Sequence, residues 1–444
     1  MRKMLILLPD GRIHKLRLPW LHHVSFREAP LTGTTLAALV PPDLGFDVRL
    51  CDASIDRVPL QEAFDLVAIS LITGNAPGGY ALADHFRSRG ATVVLGGVHV
   101  TLLPDEARQH ADAIVLGFAE RSWPRLCRDF VAGRLQAEYR EEGEVRGLPH
   151  PRRDLQRRFG YMVPQTVFAT RGCRNHCDFC AVIAARFGWH MRPVGEVVDE
   201  IKALPGRRFA FNDVNLCDDR DYALELFQAL KPLKKSWGGL MSTKATADDE
   251  LMDALAASGC VYMLLGFESV NRHGLYAMRK GFNNAEHYPS VCDALHRRGL
   301  LIQGCFIFGL DDDGPEVFEE TVEAVNALQI DIPRYALSTP FPGTALHERF
   351  AAEGRLLHKR WDYYDTQHVV LQPKRMSPEE LDCGFIRAWE KTFTLRSIRH
   401  RTTPRRRLYA GALAGNFAYW LYVRRLRRDR LRFPEPSARL SARG

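Results

Sequence analysis

Short apolar runs alternate with helical stretches along the first 120 residues. Lys3 to Leu8 (KMLILL) reads as a buried strand, because an unbroken apolar run of that length suits a strand covered on both faces. Thr34 to Asp43 (TTLAALVPPD) carries a helical pattern that Pro41 and Pro42 stop. Further strand-like runs begin at Asp47, Asp65, Thr92 and Ala113, with GGYALADHFRSRG and LPDEARQHA as helical patterns between the last three. Strand and helix in strict alternation predict a parallel, doubly wound α/β sheet whose ligand sits at the carboxyl ends of the strands. That rule selects Ser70, Gly96, Gly97, His99 and Gly117.

The pattern breaks into charged, proline-containing sequence over 137–163, which reads as a linker between a first domain, 1–136, and a second. Alternation resumes over 164–346, with strand-like runs at Thr166, Arg208, Gly238, Val261, Leu301 and Arg334. Six strand and helix units fall short of a complete eight-stranded barrel and predict a partial (β/α)6 barrel of the TIM type, its chemistry at the strand C-terminal ends. A helical extension follows over 347–400. Within it Ser377, Pro378 and Glu380 supply an N-cap, a first-turn proline and a capping-box glutamate. Residues 401–444 form a basic tail.

Composition narrows the picture. With 46% hydrophobic and 26% charged residues over 444 positions, the chain reads as a globular, multidomain protein. No apolar run reaches the roughly 18 residues of a membrane span, and the opening residues read as a strand rather than a secretion signal, so a cytoplasmic location is expected. Ten cysteines in a reducing compartment are then not expected to pair, and metal binding becomes the leading use for any clustered set. The net charge of +8 is local: 401–444 holds twelve arginines against Asp429 and Glu435, leaving the preceding 400 residues at −2. Leu408 to Val423 is a largely apolar 16-residue stretch flanked by arginines. It suits either a helix packed on the barrel or an interfacial helix in peripheral contact with an anionic membrane. Nucleic acid is not expected, since the charge sits at one end without a recognition module.

Three cysteines crowd the loop after the first barrel strand: Cys173, Cys177 and Cys180, in TRGCRNHCDFCAV. Four-iron clusters normally take four thiolates, so three leave one iron open to a substrate or cofactor. The alternative is a zinc site completed by His176 or His190.

Cys173, Cys177, Phe179 and Cys180 resemble the C-x3-C-x-aromatic-C signature of the radical S-adenosylmethionine (radical SAM) superfamily. The resemblance implies a [4Fe-4S] cluster whose open iron binds SAM, and a 5'-deoxyadenosyl radical that removes hydrogen from unactivated carbon. It also implies cofactor contacts from Asp213 and Asn215, from Ser242 and Lys244, and from Glu268 and Ser269 at successive strand ends. Gly304 to Leu310 resembles the segment that packs against adenine, although Asp311, Asp312 and Asp313 stand where relatives carry Pro-Gly-Glu. The first domain lacks G-x-G-x-x-G after its first strand, and resembles the Rossmann-like cobalamin-binding domain fused ahead of many radical SAM enzymes. Ser70, Gly96, Gly97 and Gly117 would then line the corrinoid, since glycine lets backbone approach a large ligand. No D-x-H-x-x-G is present, which implies cobalamin without a histidine on cobalt. Gly117, Phe118, Ala119 and Glu120 depart from the Gly-Glu-Gly-Glu of relatives. The implied function is methyl transfer to an unactivated carbon of a small-molecule or lipid-like intermediate, fed by an external one-electron reductant of the flavodoxin or ferredoxin type. Oxidative cyclisation or rearrangement with the same cofactors, or a non-catalytic sensor, are the alternatives. No general base is assigned.

Overall fold

The computed structural model describes residues 1–11, 15–16, 24–141, 143, 145–157, 159–402 and 408–430. The first domain is built on β1 (Arg2–Leu8), β2 (Phe46–Asp52), β3 (Leu66–Ser70), β4 (Thr92–Gly96), β5 (Ala113–Leu116) and β6 (Glu138–Arg140). They pair in the order β2-β1-β3-β4-β5-β6, every pair parallel. Met4, Leu5, Ile6 and Leu7 of β1 are all fully buried. The period of two explains this, because Met4 and Ile6 enter one apolar layer with Trp123 and Leu126, while Leu5 and Leu7 enter the other with Tyr80 and Phe86. Chain order reverses between β1 and β3, and such a switch point opens a crevice at the strand carboxyl ends.

Two details sharpen the sequence reading. Helix Leu31–Leu39 ends as the prolines require, with Val40 already extended (ψ 121°). Within the stretch read as linker, Glu138–Arg140 adds β6 to the sheet and Tyr161–Val163 pairs with Val24–Glu28. A short, charged edge strand has no apolar run to announce it, and only Tyr139 is buried.

The second domain holds β7 (Thr166–Val167), β8 (Arg208–Phe211), β9 (Ser236–Met241), β10 (Cys260–Glu268), β11 (Leu301–Phe308) and β12 (Ile332–Leu337). They pair in sequence order, all parallel, and form the partial barrel. Helix Pro378–Thr392 opens with the expected capping box: Glu380 N–H donates to Ser377 Oγ at 3.1 Å, and Ser377 N–H to Glu380 Oε2 at 2.7 Å. Helix Tyr409–Arg430 lies against the barrel, with Tyr419, Tyr422, Val423 and Leu426 in its core cluster. Asn416 Nδ2 donates to Asp331 O at 2.8 Å, and the Arg401 guanidinium donates to the carbonyls of Ile330, Asp331 and Thr392. The packed alternative for this helix is therefore realised on one face. Arg405 to Arg407 and 431–444, part of the expected basic tail, lie outside the described residues.

Candidate active site

The carboxyl ends of β3, β4 and β5 face a cavity of about 450 Å3. Ser70, Gly96, Gly97 and Gly117 line it from the first domain, and Thr170 and Arg171 from the barrel. Gly97 has φ +97°, and a Cβ there would stand 2.5 Å from Leu71 O. Gly117 has φ +76° and open space where a Cβ would be, so it lowers the cavity wall. Arg171 pairs with Glu120 and lies over the rings of Phe168 (4.1 Å) and Phe118 (5.3 Å), closing the two domains on each other. Sequence reasoning missed this pair, because its members are 51 positions apart. Glu120 Oε2 is buried without a hydrogen-bond partner among the described residues, an acceptor left for a donor inside the cavity. No histidine is among the residues lining this cavity. His99, a strand-end candidate, is instead fully buried, its Nδ1 3.3 Å from Thr73 Oγ1 and its Nε2 3.2 Å from Glu106 Oε1. Burial lowers its pKa despite the carboxylate.

The cysteine loop is tied at both ends by antiparallel pairing of Thr170–Gly172 with Trp189–Met191. Gly172 has φ +82°, and a Cβ there would collide with Gly188 O. Cys173, Cys177 and Cys180 are half-buried between these ends. Burial pushes the Cys177 thiol up to about 11, with Lys280 acting in the opposite direction. Among the described residues no group of three His, Cys, Asp or Glu side chains converges on a single ion position. A cube has a different requirement, since each thiolate takes its own iron. The zinc alternative is not supported: His176 is exposed and His190 Nε2 lies 3.0 Å from Phe187 O.

The barrel-end candidates divide into two groups. Asp213 is buried and braces the loop, accepting from Ala169 N–H (3.1 Å), Thr170 N–H and Thr170 Oγ1 (2.7 Å). Burial raises the carboxyl to about 6. Ser269 also turns inward, its Oγ accepting from Asn271 N–H at 2.9 Å. Three others stay near the loop. Asn215 Oδ1 accepts from Ser242 N–H at 3.0 Å while its buried Nδ2 has no partner among the described residues. Lys244 Nζ donates to Asn175 Oδ1 at 3.0 Å, and Asn175 Nδ2 lies 3.3 Å from Cys173 Sγ. Glu268, at φ +67°, forms a buried ion pair with Lys280. Burial works against the Lys280 charge, but Glu268 outweighs it and raises the pKa. Lys280 carried no sequence signal.

Phe179 lines a second cavity, of about 190 Å3, with Ile307, Gly309 and Leu310 at the end of β11. This is the segment expected near adenine. Two of the three aspartates that replace Pro-Gly-Glu have separate tasks. Asp313 Oδ2 accepts from Gly309 N–H (3.0 Å) and Leu310 N–H (2.9 Å), shaping that turn. Burial tends to raise Asp311, but Arg355, Arg349 and Lys374 hold it down to about 2. Burial pushes Asp313 up to about 7. Between its unfolded value near 4 and this folded value, the native state holds the extra proton, so stability falls as pH rises across that window. Asp313→Asn keeps an acceptor oxygen and removes the charge. It is expected to lose most of the parent's fall in stability between pH 4 and pH 8, in denaturant melts.

Fold and site together define a class: a partial barrel with three thiols on the loop after its first strand, and a doubly wound domain closed over that loop. The chain belongs to the radical SAM superfamily, in the family that carries such a domain ahead of the barrel; residues 167–325 match the Radical SAM superfamily. It is 32% identical over 379 residues to the bacteriochlorophyllide d C-12(1)-methyltransferase of Chlorobaculum tepidum, covering 80% of this chain and 81% of that one. Its fold matches TsrM from Kitasatospora setae, a radical S-adenosylmethionine methyltransferase solved with cobalamin and a [4Fe-4S] cluster, at TM-score 0.65 and 18% identity, covering 94% and 91% of the two chains. It also matches OxsB, solved with aqua-cobalamin and S-adenosylmethionine, at TM-score 0.65 and 13% identity, covering 95% of this chain and 72% of that one.

Proposed function

We propose that this chain is a cobalamin-dependent radical SAM methyltransferase acting on an unactivated carbon of a small-molecule or lipid-like biosynthetic intermediate. The observation that carries the reading is the cavity walled on one side by Ser70, Gly96, Gly97 and Gly117 and on the other by the strand that leads into the cysteine loop. A corrinoid suits that space, with flat glycine edges for the ring and the orphaned Glu120 Oε2 for an amide donor. Cys173, Cys177 and Cys180 would hold the cluster, leaving one iron for SAM. Bound together, these cofactors supply a carbon radical to open a C–H bond and a methyl group to fill it.

The chain's own residues hold the loop and shape its surroundings. Asp213 fixes the backbone at Ala169 and Thr170, which sets where the thiols stand. Asn215 Nδ2 offers a buried donor beside the β9 end, and the Lys280–Glu268 pair places opposite charges near Cys177. The relative's name puts its reaction on a carbon of bacteriochlorophyllide d, which supports carbon as the methyl acceptor here. An external one-electron donor of the flavodoxin or ferredoxin class belongs to this reading, as does a cytoplasmic location at the periphery of a membrane.

Anaerobic reconstitution with iron, sulfide and cobalamin, then incubation with methyl-labelled SAM and a reductant, tests it. The expected products are 5'-deoxyadenosine and label on the bound corrinoid. Absence of 5'-deoxyadenosine would sink the enzyme reading, and 5'-deoxyadenosine without corrinoid label would favour cyclisation or rearrangement.

A further inference from the structure

Helix Tyr409–Arg430 buries Ala412, Asn416, Tyr419, Tyr422, Val423 and Leu426. Its opposite face is exposed and yet apolar. Ala410, Gly411, Ala414 and Phe417 are exposed there, with Leu421 half-buried beside them and Trp420 at the edge of the face, half-buried and packed in part on the barrel's core cluster. Phe417 is 59% exposed and stacks on Trp420 with ring centroids 5.5 Å apart, and the Arg424 guanidinium sits 3.7 Å over the Trp420 ring. From Leu408 to Val423 the sequence contains no Asp, Glu, Lys or Arg. A helix on the surface of a soluble protein ordinarily carries charge on its outer face, so this one lacks the cover its composition calls for.

We propose that this outer face docks on an anionic lipid surface, Phe417 and Trp420 entering the headgroup boundary and the flanking arginines meeting lipid phosphates. The sequence places Arg405 to Arg407 before the apolar stretch and Arg424, Arg425, Arg427, Arg428 and Arg430 after it. Aromatic residues on one face with arginines at the ends are the composition of a helix that lies in the interface plane. No helix among the described residues is long and apolar enough to cross a membrane. Charge selects the occupant: a second copy would bring the same positive ends together, and 431–444 adds Arg432, Arg439 and Arg443 against Glu435 alone. The docking rests on the proposed placement at a membrane periphery and is independent of methyl transfer.

Co-sedimentation of the full chain with vesicles of phosphatidylcholine, with and without phosphatidylglycerol, tests it. The expected result is binding to the anionic vesicles that weakens with salt. Phe417→Ser, at the exposed ring, is expected to lower it about fivefold or more at an unchanged melting temperature. Arg424→Gln lowers it less. Equal binding to both vesicles overturns the anionic inference while leaving the peripheral placement standing. Binding to neither overturns both. Self-association lost in the aromatic variant, or tighter binding to single-stranded RNA than to vesicles, overturns it in favour of that partner.

Discussion

Alanine at Cys173, Cys177 or Cys180 is expected to abolish 5'-deoxyadenosine formation and to leave the chain folded. The three thiols stand half-buried on a loop, outside the barrel's apolar core cluster, so removing one opens no cavity in that core. The loop also keeps its antiparallel closure, since Thr170–Gly172 and Trp189–Met191 pair through backbone. What each substitution removes is a ligand from a set already one short of four, and a cube held by two thiolates has no stable seat. Iron and sulfide analysis after reconstitution should show loss of the cluster, with the melting temperature of the unreconstituted protein unchanged. A variant that keeps parental iron content and cleaves SAM at the parental rate would remove that cysteine from the ligand set.

The second large effect is expected at Asp213, through a different route. Asp213→Ala leaves the Ala169 and Thr170 amides and the Thr170 hydroxyl without their acceptor in a buried place. Each unmade bond of that kind costs about 1–3 kcal/mol, so a loss of roughly 4 kcal/mol in unfolding free energy is expected. Because those amides enter the cysteine loop, cluster occupancy should fall as well. Asp213→Asn retains one acceptor oxygen and turns an NH2 toward the donors, so its effect should be about half as large. Denaturant midpoints and iron content, measured on both variants, check this. If Asp213→Ala matched the parent in stability but failed only to bind SAM, the aspartate would act as a cofactor contact and not as a brace.

The barrel and the first sheet were legible because parallel strands buried on both faces must be written as unbroken apolar runs. Met4 to Leu7 shows why, with alternate side chains filling opposite layers. The cysteines and the glycines past β4 and β5 were legible for a related reason, since a thiol triplet or a residue at φ +97° admits few substitutes. Polar contacts were less so. Asp213, Glu268 and Ser269 each end or follow a strand, yet one braces a loop, one pairs with a lysine and one forms a turn, and no local pattern separates these tasks. Lys280 and Arg171 acquire meaning only from partners that folding brings near. Glu138–Arg140 was hidden because an edge strand needs no apolar run.

The cavity between the domains has two owners. Its glycine wall belongs to one half of the chain and its Arg171 wall to the other, so neither half encloses it alone. Any molecule seated there touches both and thereby adds its binding free energy to their docking. Loading the protein is thus also part of assembling it, and a first domain borrowed from a relative would have to match Arg171 as well as its ligand.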